Sequence, residues 1–160
     1  YYKCIKTFEF DKKTYYINDV FECDNNGKAI DAAPISNPTL DHVTLIGNKG
    51  TEHKRGIRLR AGTYANFSNT LVSGKPSPIT LETEPTIKSF VDGVSGFSNV
   101  IISGTVKSDD TATNAYTEEM FTSKGNKINQ NLVFTSRFIG TVDGAGAVSA
   151  DNDWTAGWTK

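Results

Sequence analysis

Three stretches of the chain carry one pattern of apolar and polar positions. Leu40-Asp41-His42-Val43-Thr44-Leu45-Ile46-Gly47, Phe67-Ser68-Asn69-Thr70-Leu71-Val72-Ser73-Gly74 and Phe97-Ser98-Asn99-Val100-Ile101-Ile102-Ser103-Gly104 each start on a bulky apolar residue. Two polar residues follow, then an apolar or β-branched run that ends at glycine. The glycines recur at 27 and 30 residues. A unit of that length predicts stacked repeats, each burying its apolar side against the next.

A second pattern lies between these stretches. Arg55-Gly56-Ile57-Arg58-Leu59-Arg60 alternates strictly before Ala61-Gly62, and Pro78-Ile79-Thr80-Leu81-Glu82 repeats its phase 22 residues later. Each repeat therefore contributes at least two strands. Stacking them sets Arg58 beside Thr80 and Arg60 beside Glu82 on the outside, with Ile57 over Ile79 and Leu59 over Leu81 inside. His42, Asn69 and Asn99 share one position, five before the glycine, and predict a hydrogen-bonded polar ladder at a turn.

Around the repeats, strands are expected over 7–10, 14–17 and 20–23. Asp24-Asn25-Asn26-Gly27 is a turn sequence. Residues 29–38 form a loop, since Pro34 and Pro38 bar a central strand. After Thr105 the pattern breaks. A helix is expected over 114–124, with Asn114 as its cap and Gly125 as its stop, followed by strands at 131–134 and 137–140. These elements predict one all-β domain, a parallel β-helix of roughly five repeats. Residues 1–112 supply the repeats, and 113–160 the last repeat and a cap. Trp154 and Trp158, with Phe138 and Ile139, are expected to cover the final apolar interior, because a solenoid must close its end. Stacking of the two indoles on sugar rings is the alternative.

The composition admits such a core: 37% of the 160 residues are hydrophobic and 22% charged. A net charge of −1 provides no global field toward nucleic acid or an anionic membrane. No apolar run approaches the roughly 18 residues that span a bilayer. A start at Tyr1, without initiator Met or signal sequence, is expected of a trimmed piece of a longer chain. Cys4 and Cys23 are 19 residues apart, slightly under one repeat. Neighbouring repeats stack at about 4.8 Å, within disulfide reach. A bridge, which implies an oxidising exported setting, and two buried free thiols in one row both fit that spacing.

Candidate chemistry is sparse. The basic run His53-Lys54-Arg55, continued by Arg58 and Arg60, suits the carboxylates of an anionic polysaccharide. The competing reading is a solvated face with Arg60 paired to Glu82. A β-helix lyase needs carboxylates that hold Ca²⁺ beside a basic group, and a hydrolase needs converging acid and base carboxylates. Asp24, Asp31, Asp41, Asp92, Asp109, Asp110, Asp143, Asp151 and Asp153 fall mostly in turns, and no close pair recurs one repeat apart. No catalytic residue is assigned. Asp24, Asn25, Asn26 and Asp31 offer oxygens for Ca²⁺, but their spacing is not that of an EF-hand, and a turn satisfying its own backbone is preferred. No other metal or cofactor is indicated. Asn66-Phe67-Ser68, an N-glycan triplet, is discounted because it lies on a predicted strand.

The repeat, with Asp24-Asn25-Asn26-Gly27, Asn37-Pro38-Thr39, Gly56-Ile57-Arg58-Leu59-Arg60-Ala61-Gly62-Thr63 and Asp153-Trp154-Thr155-Ala156-Gly157-Trp158-Thr159, resembles a known family. It is similar to the C-terminal part of exported, pectate-lyase-like right-handed parallel β-helix proteins common in Bacteroidetes, from Val20 to the end. The resemblance implies the handed solenoid and a secreted or cell-surface location. That family has no agreed catalytic residues, so no mechanism is implied. In this setting Asp110-Thr111-Ala112 matches an O-glycosylation pattern at Thr111. The expected function is a non-catalytic exported or surface module, structural or carbohydrate-binding. A β-helix polysaccharide lyase or glycoside hydrolase, and a subunit of an extracellular fibre, are the alternatives. An open first repeat would pair with another β-helix chain through residues 1–10.

Overall fold

The computed structural model describes residues 7–10, 13–16, 19–47, 54–109, 111–134 and 140–157. An antiparallel hairpin of β1 (Thr7–Phe10) and β2 (Lys13–Tyr16) comes first. From β3 (Phe21–Asp24) onward the pairing is parallel. The chain then alternates between two sheets. One contains β3, β6 (Arg55–Arg60), β8 (Ser77–Leu81) and β10 (Val106–Ser108), paired in that order. In the other, β4 (Thr39–Asp41) and β5 (Thr44–Ile46) flank one side of β7 (Asn66–Ser73), and β9 (Gly96–Ile102) the other.

The register follows the sequence repeat. Leu40 lies beside Phe67 and Phe67 beside Phe97, while Leu45, Val72 and Ile102 form a second row. In the first sheet Ile57 pairs with Ile79, Arg58 with Thr80 and Leu59 with Leu81, as the alternation predicts. Ile57, Leu59, Ile79 and Leu81 are fully buried. The recurrent glycine has a steric cause. Gly74 has φ +77, and a Cβ there would collide with the Gly47 carbonyl oxygen, while one on Gly47 would meet the Gly74 carbonyl. Only hydrogen side chains allow the two turns to stack this closely.

An unexpected helix, α1 (Glu84–Val91), is inserted between β8 and β9. Pro85 suits its first turn, and Ile87 and Phe90, three apart, share the buried face. The Phe90 ring stacks on Phe97 at 4.8 Å. The second helix, α2 (Glu118–Thr122), is shorter than the periodicity predicts. Its cap is Thr117, whose hydroxyl accepts the Met120 N–H at 3.1 Å. Asn114 instead binds the Glu84 carboxylate through its backbone N–H and side-chain amide. Gly125, at φ +82, follows the helix.

Residues 131–134 form no strand ladder. Leu132 and Phe134 lie with Val142 and Ala145 over Leu71 and Ile101, covering the outer flank of the second sheet. Residues 137–139 lie outside the described set. Beyond β9, Tyr116 and Phe121 pack on the interior; the Phe121 ring is 5.4 Å from Phe97. Asn126 completes that end, accepting the Val100 N–H and donating to the carbonyls of Phe97 and Phe121. Trp154 is 52% exposed and donates its indole N–H to the Ala147 carbonyl at 2.7 Å. Trp158 lies outside the described residues.

Candidate functional site

The outward residues of the β3-β6-β8-β10 sheet form two rows. Register brings Glu22, Arg58, Thr80 and Lys107 side by side, and places Asp24 beside Arg60. Arg55, Arg58 and Arg60 do gather on this face, and each meets carboxylates there. Arg58 donates to Glu82 Oε2 from Nε at 3.0 Å and from Nη2 at 2.8 Å, and to Glu22 Oε1 from Nη1 at 3.3 Å. Arg55 Nε lies 2.8 Å from Glu82 Oε1.

Arg60 does not pair with Glu82, although the strands are in the expected register. Its fork closes on Asp24, with Nε 2.9 Å from Oδ1 and Nη2 3.0 Å from Oδ2. Asp24 lies directly opposite on β3 and accepts two near-parallel bonds, whereas Glu82 is occupied by Arg55 and Arg58. Both Asp24 and Glu22 hold Arg60 toward β3.

Beneath this array sits Asp19. Its side chain is 1% exposed and 3.5 Å from Arg58 Nη1, and neither carboxylate oxygen accepts a hydrogen bond among the described residues. Burial pulls the Arg58 guanidinium pKa down. The Glu82 hydrogen bond and the charges of Glu82, Glu22 and Asp19 outweigh that pull and hold it above its ordinary value. Arg58 is therefore a bridge between β3 and β8 and the counter-charge of a buried acid.

Next to the arginines an open groove of about 620 Å³ runs along the sheet. Its walls include Lys54, Arg55, Thr80, Glu82, Lys107 and Asp109. The Thr80 hydroxyl is shielded from solvent and makes no hydrogen bond among the described residues. The Asp109 carboxylate accepts the Thr111 N–H at 3.0 Å and its hydroxyl at 2.8 Å. Those two bonds lower its pKa. Asp19, Thr80 and Lys107 escape a reading of motifs, but Thr80 and Lys107 are found by extending the Arg58 row across the sheet.

The polar ladder forms at the bend of the second sheet. His42, Asn69 and Asn99 all adopt left-handed φ, at 52, 47 and 53. The Asn99 amide donates to Asn69 Oδ1 at 2.9 Å, and the Asn69 amide to Asp41 Oδ1 at 2.8 Å. Asp41, not His42, thus receives the third bond, and His42 Nδ1 lies 2.8 Å from the other Asp41 oxygen. The Ser68 hydroxyl, then the Asn69 amide, then His42 stabilise the ionised carboxylate and bring its pKa to about 2.

The remaining sites have local explanations. Asn25 donates to the Ile30 and Ala32 carbonyls and accepts the Ser36 N–H, while Asn26 Oδ1 accepts the N–H of Lys28 and Ala29. With Asp24 on Arg60, the stretch offered for Ca²⁺ is a turn that satisfies itself. Cys23 has no disulfide partner among the described residues. It faces the core in one row with Leu59; burial, then the charges of Asp24 and Glu22, raise its pKa. Cys4 and His53 lie outside the described residues. Thr111 is exposed on its loop.

Among the described residues no helix is long and apolar enough to cross a membrane. Neither a curated protein nor a solved structure matches the chain. A family model described as a pectate-lyase like beta helix domain matches residues 2–159. Parallel pairing of successive repeats and a match over nearly the whole length lead to one conclusion: the chain belongs to the pectate-lyase-like beta-helix domain family.

Proposed function

We propose that this chain is a non-catalytic module of an exported or cell-surface protein, a right-handed β-helix that recognises polysaccharide along the outer face of β6, β8 and β10. The open groove beside the ordered Arg–carboxylate array carries this reading. Groups already fixed in pairs lose little freedom when they hydrogen-bond a sugar chain, and that lowers the cost of binding. A glycosidase acid must hold a proton near neutral pH and needs a raised pKa. Asp41, Glu84 and Asp109 are all displaced downward, opposite to what that role needs.

The test is incubation with a panel of neutral and anionic polysaccharides, with and without Ca²⁺, reading retention and new chain ends together. Retention without new ends is expected. New ends would make the protein a lyase or hydrolase, and retention on nothing would remove the recognition role and leave a structural one. Export gives a further expectation: Thr111 carries a glycan. The intact mass of the native protein should then show hexose increments that Thr111→Ala removes.

A further inference from the structure

We propose that the groove between Lys54 and Lys107 is a subsite for a tetrahedral oxyanion ester, a sulfate or phosphate group borne on a sugar chain. This rests on the recognition role above and names the chemistry of its ligand. All three arginines of the face are engaged with Asp24, Glu22, Asp19 or Glu82. The planar forks that would receive a uronate carboxylate are thereby committed within the protein.

The uncommitted cations are lysines. Lys54 and Lys107 line the groove, and neither makes an ion pair among the described residues. A lysine ammonium is a compact point charge with rotatable donors, suited to a tetrahedral anion rather than a planar one. Two carboxylates share the groove, but Glu82 is held by Arg55 and Arg58 and Asp109 by Thr111.

Thr80 supplies an independent observation. It lies between Arg58 and Lys107 in the outward row, it is 9% exposed, and its hydroxyl has no partner among the described residues. A buried hydroxyl without a partner costs stability. An ester oxygen seated between the flexible side chains of Lys107 and Arg55 would accept its proton and remove that cost.

The experiment measures affinity for dextran sulfate, phosphorylated dextran, unmodified dextran and polygalacturonate, for the native chain and for Lys54→Gln, Lys107→Gln and Thr80→Val. Tight, salt-sensitive retention by one or both tetrahedral esters, well above dextran and polygalacturonate, is expected. Each Lys→Gln change should weaken it about tenfold, and Thr80→Val about fivefold. Because Thr80→Val deletes an unpartnered hydroxyl, its Tm should stay level or rise, which separates lost binding from lost folding. Native affinity in Thr80→Val and Lys107→Gln would overturn the subsite. So would polygalacturonate binding as tightly as the esters. Retention on dextran or polygalacturonate alone would overturn the subsite and spare the recognition role. Retention on none of the four would overturn both.

Discussion

Arg58→Ala is expected to destabilise the fold by about 3–5 kcal/mol, the cost of leaving a buried charge without its partner. The side chain of Asp19 is 1% exposed, and among the described residues Arg58 is the cation within ion-pair distance of it. Among the described residues its two oxygens accept no hydrogen bond that would replace the lost charge. The same guanidinium ties Glu22 on β3 to Glu82 after β8, so the truncation also loosens the first repeat from the second. For a chain of this length Tm should fall by roughly 10 °C, read by thermal or urea denaturation. Removing both charges, as Asp19→Asn with Arg58→Met, should recover much of the loss. An Arg58→Ala protein as stable as the native one would show that Asp19 does not depend on this partner.

The second large effect is expected at Phe97. Its ring lies 5.9 Å from Phe67, 4.8 Å from Phe90, 6.1 Å from Tyr116 and 5.4 Å from Phe121. It therefore joins β7, α1, the segment before α2, and α2 itself. Phe97→Ala removes the shared surface of all four and opens a void that these elements cannot close together, at about 3–5 kcal/mol. In a stack of repeats, coupling runs between neighbours. Hydrogen exchange in this variant should accordingly rise first in α1, α2 and β9, with β3 and β6 the last to respond. Uniform exchange across the sheet would mean that the C-terminal repeat and its closing residues do not fold as a separable unit.

The sites differ in how far they can be read before the fold is known. Asn69 and Asn99 announce their contact because they stand at one position of adjacent repeats. His42 occupies that position too, yet Asp41 receives the bond, because its carboxylate accepts from Ser68 and Asn69 together. The Arg60 and Glu82 positions are predicted correctly as neighbours. Their pairing is not, since strand register sets where Cα atoms lie and leaves the long side chains to choose among several carboxylates. Cys23 stands where its row puts it, beside Leu59 and facing the core.

What the chain alone determines is everything that recurs. In parallel stacking the neighbours in space are equivalent residues one repeat apart, so Gly47 over Gly74, Phe67 over Phe97 and Ile57 over Ile79 are written as a period along the chain. Tertiary structure alone decides the contacts between segments that share no repeat. Asp19 beneath Arg58, Glu84 holding Asn114, and Leu132, Phe134, Val142 and Ala145 lying over Leu71 and Ile101 are of this kind. Their partners lie at irregular separations, and each is selected by the space and charge that the stacked repeats leave exposed.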